Sequence, residues 1–370
     1  MNNTDKIYNL AVAGVQRLIP YKAGKPIEEL ERELGLNRII KLASNENPLG
    51  PGKKALAAIQ ASLSALALYP DGSGFMLKQA LAEKYAVDMS QITLGNGSNE
   101  ILELVARAFL TPDHEVVFSQ HAFAVYPIVT QAVGATAVVV PALNYGHDLD
   151  AMLQAVTGKT RLVFIANPNN PTGTLLSQAS LECFMSSLPD TCVCVLDEAY
   201  FEFVSSVESI NSIDWLKKFP NLLVTRTFSK AYGLAGLRVG YGLSSPQMAD
   251  ILNRVRQPFN NNTLALVAAE AALGDDEHLQ KTITVNALGM RQLTDGFKNL
   301  SLEWIPSAGN FVSVDLKKAG QPIYEALLRK GVIVRPVANY ELPNHLRISI
   351  GTEAENQVFL NALSDTLANV

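Results

Sequence analysis

Between residues 92 and 243 the chain repeats one pattern: a short apolar run, a turn, a helical stretch, then another apolar run. The runs are ITLG (92–95), EVVFS (115–119), ATAVVVP (135–141), RLVFIAN (161–167), CVCVLDE (192–198), NLLVTRTF (221–228) and LRVGYGL (237–243). Strands that are apolar on both faces cannot lie in a sheet with one wet side, so helices must cover both. Helical segments starting near 123, 149 and 177 supply that cover. An α/β fold with a large, mostly parallel sheet follows.

On either side of this block the pattern changes. Residues 7–18 are apolar at helical intervals, and PIEELERELG (26–35) has proline in its first turn and glycine just past its end, so two N-terminal helices are expected. Helices over about 53–66 and 75–86 lead into ITLG. After Pro246 the chain reads as mainly helical, with a long helix over about 275–299 suited to bridging two domains. LEWI (302–305), FVSVDL (311–316), VIVR (332–335) and LRISI (346–350), closed by a helix from 353, read as a smaller α+β domain.

A chain of 370 residues with 48% hydrophobic content can bury two sizeable cores. Its net charge of −5 includes no run of lysines or arginines able to follow a nucleic acid or an anionic membrane, so neither partner is expected. MNNTDKIYNL lacks the apolar core of a secretory signal, and no stretch approaches the roughly 18 apolar residues of a membrane span. The expected compartment is therefore cytoplasmic. Cys192 and Cys194 alternate in an apolar run as thiols on one face of a buried strand do, and the five histidines have no ligand spacing, so no metal site is expected.

The chemistry gathers at strand ends, where α/β proteins keep their sites. In TFSKAYGLAGLRVG (227–240), Lys230 follows an apolar strand and precedes glycines 233 and 236. An ordinary lysine is protonated about a thousandfold over its free base at neutral pH, a handicap that Schiff-base formation with an aldehyde overcomes. Thr227, Ser229 and Arg238 around it suit a phosphate, and pyridoxal phosphate carries aldehyde and phosphate together.

Other strand ends add to this. GNGSNE (95–100) opens a helix after a strand, so free amides, Ser98 and Asn99 form a second anion-binding element. NPNNPTG (167–173) fixes Asn170 before a proline, and VLDEAY (195–200) ends an apolar strand on Asp197 with Tyr200 three residues on. A buried acid there needs a cation or donors, and a protonated pyridine nitrogen is such a partner. Phe123 in HAFAVYP offers a flat stacking face, although core packing explains it nearly as well. Arg335 and Arg347 each interrupt an apolar strand and can grip a carboxylate or phosphate in bidentate fashion, with Tyr21 in a loop that can reach a ligand.

Taken together, SNENPLGP, YPDG, GNGSNE, NPNNPTG, DEAYFEF, TFSKAYGLAGLRVG and LRISIGT resemble fold-type I aminotransferases of the aspartate aminotransferase superfamily, more narrowly the histidinol-phosphate aminotransferase family, over essentially the full length. The resemblance implies a large pyridoxal 5'-phosphate domain over 46–285 and a small substrate-closing domain from 1–45 plus 286–370. It implies a Schiff base on Lys230, Asp197 on the pyridine nitrogen, and Tyr200 and Asn170 on the ring hydroxyl. Ser98, Asn99, Thr227, Ser229 and Arg238 are expected on the phosphate, joined by Tyr69 from the other subunit of a homodimer with shared active sites. Arg347 is implied as the carboxylate-binding arginine, Arg335 as a second arginine for the substrate phosphate, with Tyr21 and Asn45 nearby. Phe123 departs from the tyrosine common at its position.

The implied reaction takes an amino group from L-histidinol phosphate to 2-oxoglutarate, giving imidazole-acetol phosphate and L-glutamate in histidine biosynthesis. An aromatic or dicarboxylic amino-acid aminotransferase remains open, because a small pocket difference leaves no readable motif. So does a threonine-phosphate decarboxylase, which would use the same lysine and aspartate.

Overall fold

The structure is a computed structural model describing residues 3–21, 24–36 and 38–369. In chain order its strands are β1 (Ile40–Lys41), β2 (Ile92–Gly95), β3 (Glu115–Ser119), β4 (Thr136–Val140), β5 (Thr160–Ala166), β6 (Val193–Asp197), β7 (Leu222–Thr227) and β8 (Gly240–Leu243). β9 (Glu303–Ile305), β10 (Phe311–Asp315), β11 (Val332–Ile333), β12 (Arg335–Pro336) and β13 (His345–Ser349) follow. Seven of them form one sheet in the order β2-β8-β7-β6-β5-β3-β4. β3 to β7 run parallel with β4, and β8 runs antiparallel to both β7 and β2.

Two apolar clusters cover the faces of this sheet, as its uninterrupted strands require. One contains Val163, Ile165, Cys194, Leu196 and Val224; the other contains Leu162, Phe164, Val193, Val195 and Leu223, so successive residues of β5, β6 and β7 go to opposite sides. Cys192 and Cys194 share the first cluster, and burial raises the Cys192 thiol to about 12. Several covering helices begin on a side-chain cap: Asp148 accepts from the amide of Ala151, Ser177 from that of Ser180 and Asn262 from that of Ala265.

A four-stranded antiparallel sheet, β12-β13-β10-β9, lies in the C-terminal part with its own core around Val312, Val314, Leu346, Ile348 and Phe359. The helix Asp276–Asn299 spans the long pattern read in the sequence. Near its start Thr282 accepts from Asn47, and further on Leu293 and Phe297 enter the core of the smaller sheet. Among the described residues no helix is long and apolar enough to cross a membrane.

The smaller sheet departs from the sequence reading in one respect. VIVR is not one strand: Val332–Ile333 pairs in parallel with β1, and Arg335–Pro336 pairs antiparallel with β13. Proline has no N–H for a further rung, and β12 is accordingly short and at an edge. β1 and the helix Gly320–Arg329 were not separately expected; two residues of strand carry no periodicity to detect.

Candidate active site

The carboxyl ends of β6 and β7, the start of the helix Ser98–Phe109 and the neighbouring strands β12 and β13 converge on a cavity of about 260 Å³. Lys230 lies in its wall, just past the end of β7, where its Nζ donates to the Ser44 carbonyl at 2.9 Å. Burial, then the positive field of Arg347, pulls its amine down to about 7. Half of such an amine is already neutral at pH 7. Tyr200 lies beneath it with its ring 5.9 Å from Nζ, and its hydroxyl accepts from Asn45 Nδ2 at 2.8 Å. Burial raises that phenol to about 12, opposed by Arg347.

One end of the cavity is built for an anion. Ser98 and Asn99 open a helix whose first N–H groups have no partner within it, a positive end by construction. Gly97 precedes them at φ 76°, and a Cβ there would fall inside the guanidinium of Arg238, which crosses directly over the turn. Arg238 Nη1 reaches Ser229 Oγ at 3.4 Å and the Ala235 carbonyl at 3.0 Å, while Thr227 Oγ1 accepts from the Ser229 amide at 3.1 Å. Hydroxyls, amide dipoles and a guanidinium thus converge without an acid among them.

Asp197 ends β6 at the floor, 5% exposed. Its Oδ2 accepts from Tyr126 Oη at 2.9 Å and its Oδ1 from Thr225 Oγ1 at 3.1 Å. Burial nevertheless raises its pKa, outweighing both donors. A cation placed against it would reverse that. Phe123 lines the same floor, and Tyr126 meets it edge-on at 5.9 Å while stacking on Phe164 at 4.6 Å.

A second cationic end faces the first. Arg347 of β13 is buried; its Nη1 donates to Asn170 Oδ1 at 2.5 Å and its Nη2 to the Ala43 carbonyl at 2.8 Å. Among the described residues its buried Nε has no partner. Arg335 is its register neighbour on β12, and the Tyr21 ring lies 5.6 Å from the Arg335 guanidinium.

Residues 37–363 match the family model for aminotransferase class I and II. The chain belongs to this family. It is 61% identical over 361 residues to histidinol-phosphate aminotransferase 2 of Pseudomonas fluorescens Pf-5, covering 97% of this chain and 98% of the relative. Identity to the protein of the same name in Pseudomonas aeruginosa is 60% over 362 residues, again covering 97% and 98%. The crystal structure of histidinol-phosphate aminotransferase from Sinorhizobium meliloti, in complex with pyridoxal-5'-phosphate, superposes with a TM-score of 0.91 at 31% identity, covering 97% of this chain and 98% of that one.

Within this aminotransferase, fourteen of the fifteen residues singled out from sequence line the one cavity. Tyr69 does not. It is 83% exposed and stacks on Phe259 at 4.8 Å. The sequence reading missed Tyr126 and Thr225, the two donors on Asp197. Thr225 carried a usable signal, since a threonine two positions before Thr227 in an apolar strand shares its face.

Another buried acid, Glu202, lies in the field of Arg226. Both carboxylate oxygens of Glu202 are buried without a hydrogen-bond partner among the described residues, and burial raises the group from its usual 4.5 to about 7. The folded chain holds this proton more tightly than the unfolded chain, so stability falls as pH rises from 4.5 to about 7 and stays lower above it. Glu202→Gln should therefore gain about 3 kcal/mol of unfolding free energy at pH 8. The gain should shrink to about 1 kcal/mol at pH 5. Urea denaturation at the two pH values measures it; an equal gain at both would mean the carboxyl does not titrate as described.

Proposed function

We propose that this aminotransferase holds pyridoxal 5'-phosphate on Lys230 and transfers the amino group of L-histidinol phosphate to 2-oxoglutarate, giving imidazole-acetol phosphate and L-glutamate. The residues fit the cofactor. Ser98, Asn99, Thr227, Ser229 and Arg238 form an anion cradle that a Cβ at position 97 would fill, and Asp197 is a buried carboxylate whose raised pKa a pyridinium would relieve. Lys230 would hold the aldehyde carbon, Phe123 the ring face, and Tyr200 and Asn170 the ring hydroxyl. Bound there, the cofactor supplies an electron sink that makes the hydrogen on the donor's amine-bearing carbon acidic.

The remaining work falls to side chains. Lys230 is a base with a pKa near the working pH, and its Nζ would hold the proton taken from that carbon and make it available for return. Tyr200 and Asn45 stand beside the amine's path. Arg347 receives the carboxylate of glutamate or 2-oxoglutarate in one half-reaction and, helped by Arg335 and Tyr21, the donor's phosphate in the other. The observation that carries this reading is the pair of guanidinium groups opposite each other across β12 and β13, in a cavity that already has a separate phosphate cradle.

The chain forms a homodimer in this reading, with exposed Tyr69 reaching the phosphate of the other subunit. Residues 46–285 form the cofactor unit, and 1–45 with 286–370 form the unit that closes on substrate. Two separate cores, with the helix Asp276–Asn299 running between them, support that division.

Mixing the loaded enzyme separately with histidinol phosphate, glutamate, phenylalanine and threonine phosphate tests the donor. Histidinol phosphate and glutamate should convert the cofactor spectrum fastest. Faster conversion by phenylalanine, or carbon dioxide released from threonine phosphate, would replace this reading with one of its rivals. Arg335→Ala should raise KM for histidinol phosphate about tenfold to a hundredfold, the loss of one charge-assisted contact, and leave the glutamate half-reaction within about threefold. Equal losses in both half-reactions would remove the phosphate role.

A further inference from the structure

We propose that the buried ion pair between Arg226 and Glu198 is a positioning pair: from the far side of the sheet it fixes Asp197, Thr225 and Thr227 where the cofactor needs them. The inference rests on the cofactor reading above. Successive strand residues face opposite sides, so Arg226 points away from the cavity while Thr225 and Thr227 point toward it, and Glu198 points away while Asp197 points in. Each member of the pair is thus the covalent neighbour of site residues on the opposite face.

Its geometry permits little movement. Arg226 Nε and Nη2 both donate to Glu198 Oε2, at 2.9 and 2.8 Å, and both side chains are 2% exposed. The guanidinium is 3.5 Å from the centre of the Phe201 ring and 5.0 Å from that of Tyr85. Asp197 is in register with Thr225, and the Glu198 amide donates to the Thr225 carbonyl at 2.9 Å, beyond the last residue of β6. Past that rung β6 leaves the sheet, so the side-chain pair is what continues to tie the two strand ends together. The Asp197 to Thr225 bond at 3.1 Å depends on that alignment.

Stability alone is a poor reason for such a pair. Two buried charges lose their hydration, and an apolar pair of similar volume is often as stable or more so. Aromatic rings already flank the guanidinium, those of Phe201 and Tyr85, and Glu202 is a second buried acid in the field of Arg226. A fixed direction is what a forked, charge-assisted contact provides and an apolar pair does not.

The test compares wild type with the double variant Arg226→Met, Glu198→Leu and with Arg226→Lys. Apo-protein melting temperature, affinity for added pyridoxal phosphate, the pH midpoint of the visible spectrum, and kcat and KM are measured for each. The double variant should melt no lower than wild type yet bind the cofactor about tenfold more weakly, with a displaced spectral midpoint. Its kcat should fall about 10- to 100-fold with KM little changed. Arg226→Lys, which keeps the charge and loses the fork, should fall between the two. Cofactor affinity and spectral midpoint equal to wild type in the folded double variant overturn the proposal, and if that variant does not fold, the same equality in Arg226→Lys overturns it. A wild-type protein that takes up no pyridoxal phosphate sinks the cofactor reading instead.

Discussion

Lys230→Ala should reduce turnover by about two to four orders of magnitude, the span of a positioned proton-transfer group, while the anion cradle still binds cofactor. Among the described residues its side chain alone brings an amine to the cavity wall, between the cradle at Ser98 and Arg238 and the arginines on β12 and β13. Lys230→Arg keeps a cation that cannot give up its proton at working pH and should be equally inactive. The pH dependence of loading is a sharper measure. Only the neutral amine attacks an aldehyde, and with a pKa of about 7 its neutral fraction rises through pH 7 and levels off above about pH 8. Mixing apo-protein with pyridoxal phosphate between pH 5.5 and 9 should trace that midpoint by absorbance. A rate still climbing toward pH 10 would mean an unperturbed lysine, and near wild-type turnover by Lys230→Ala would falsify the assignment.

The large sheet was legible because its strands are apolar on both faces, a pattern that neither an amphipathic helix nor a one-sided sheet shares. ITLG and EVVFS coincide with β2 and β3 to the residue. The smaller sheet was less so, since the split of VIVR is set by which strands stand beside it, and that lies outside any local window. Site residues stood out where a polar group interrupted an apolar run, as Asp197, Arg335 and Arg347 do. Arg226 interrupts LLVTRT in the same way, but alternation turns it from the cavity, so its role shows only in three dimensions. Tyr126 gave no such signal: within VYPIVTQA it reads as one more core aromatic, and only the fold brings its hydroxyl to Asp197, 71 residues away.

Arg347→Ala should lower kcat/KM in both half-reactions by about 10²- to 10³-fold, equivalent to about 3 to 4 kcal/mol for a lost bidentate, charge-assisted contact. Like charges directly opposite each other on neighbouring strands are unfavourable, and Arg347 faces Arg335. Burial pulls its pKa down as well, so without an anion this guanidinium is held at a cost. Asn170 and the Ala43 carbonyl fix its direction and, among the described residues, leave Nε unpaired, so an arriving carboxylate meets a fork already aimed. Arg347→Lys restores charge without the fork and should recover less than about tenfold. Because Arg347 also depresses the Lys230 amine, second only to burial, its removal should shift the loading midpoint of the lysine upward from about 7. Two independent measurements therefore bear on one side chain. Unchanged kcat/KM for both glutamate and histidinol phosphate, together with an unmoved loading midpoint, would take Arg347 out of the site.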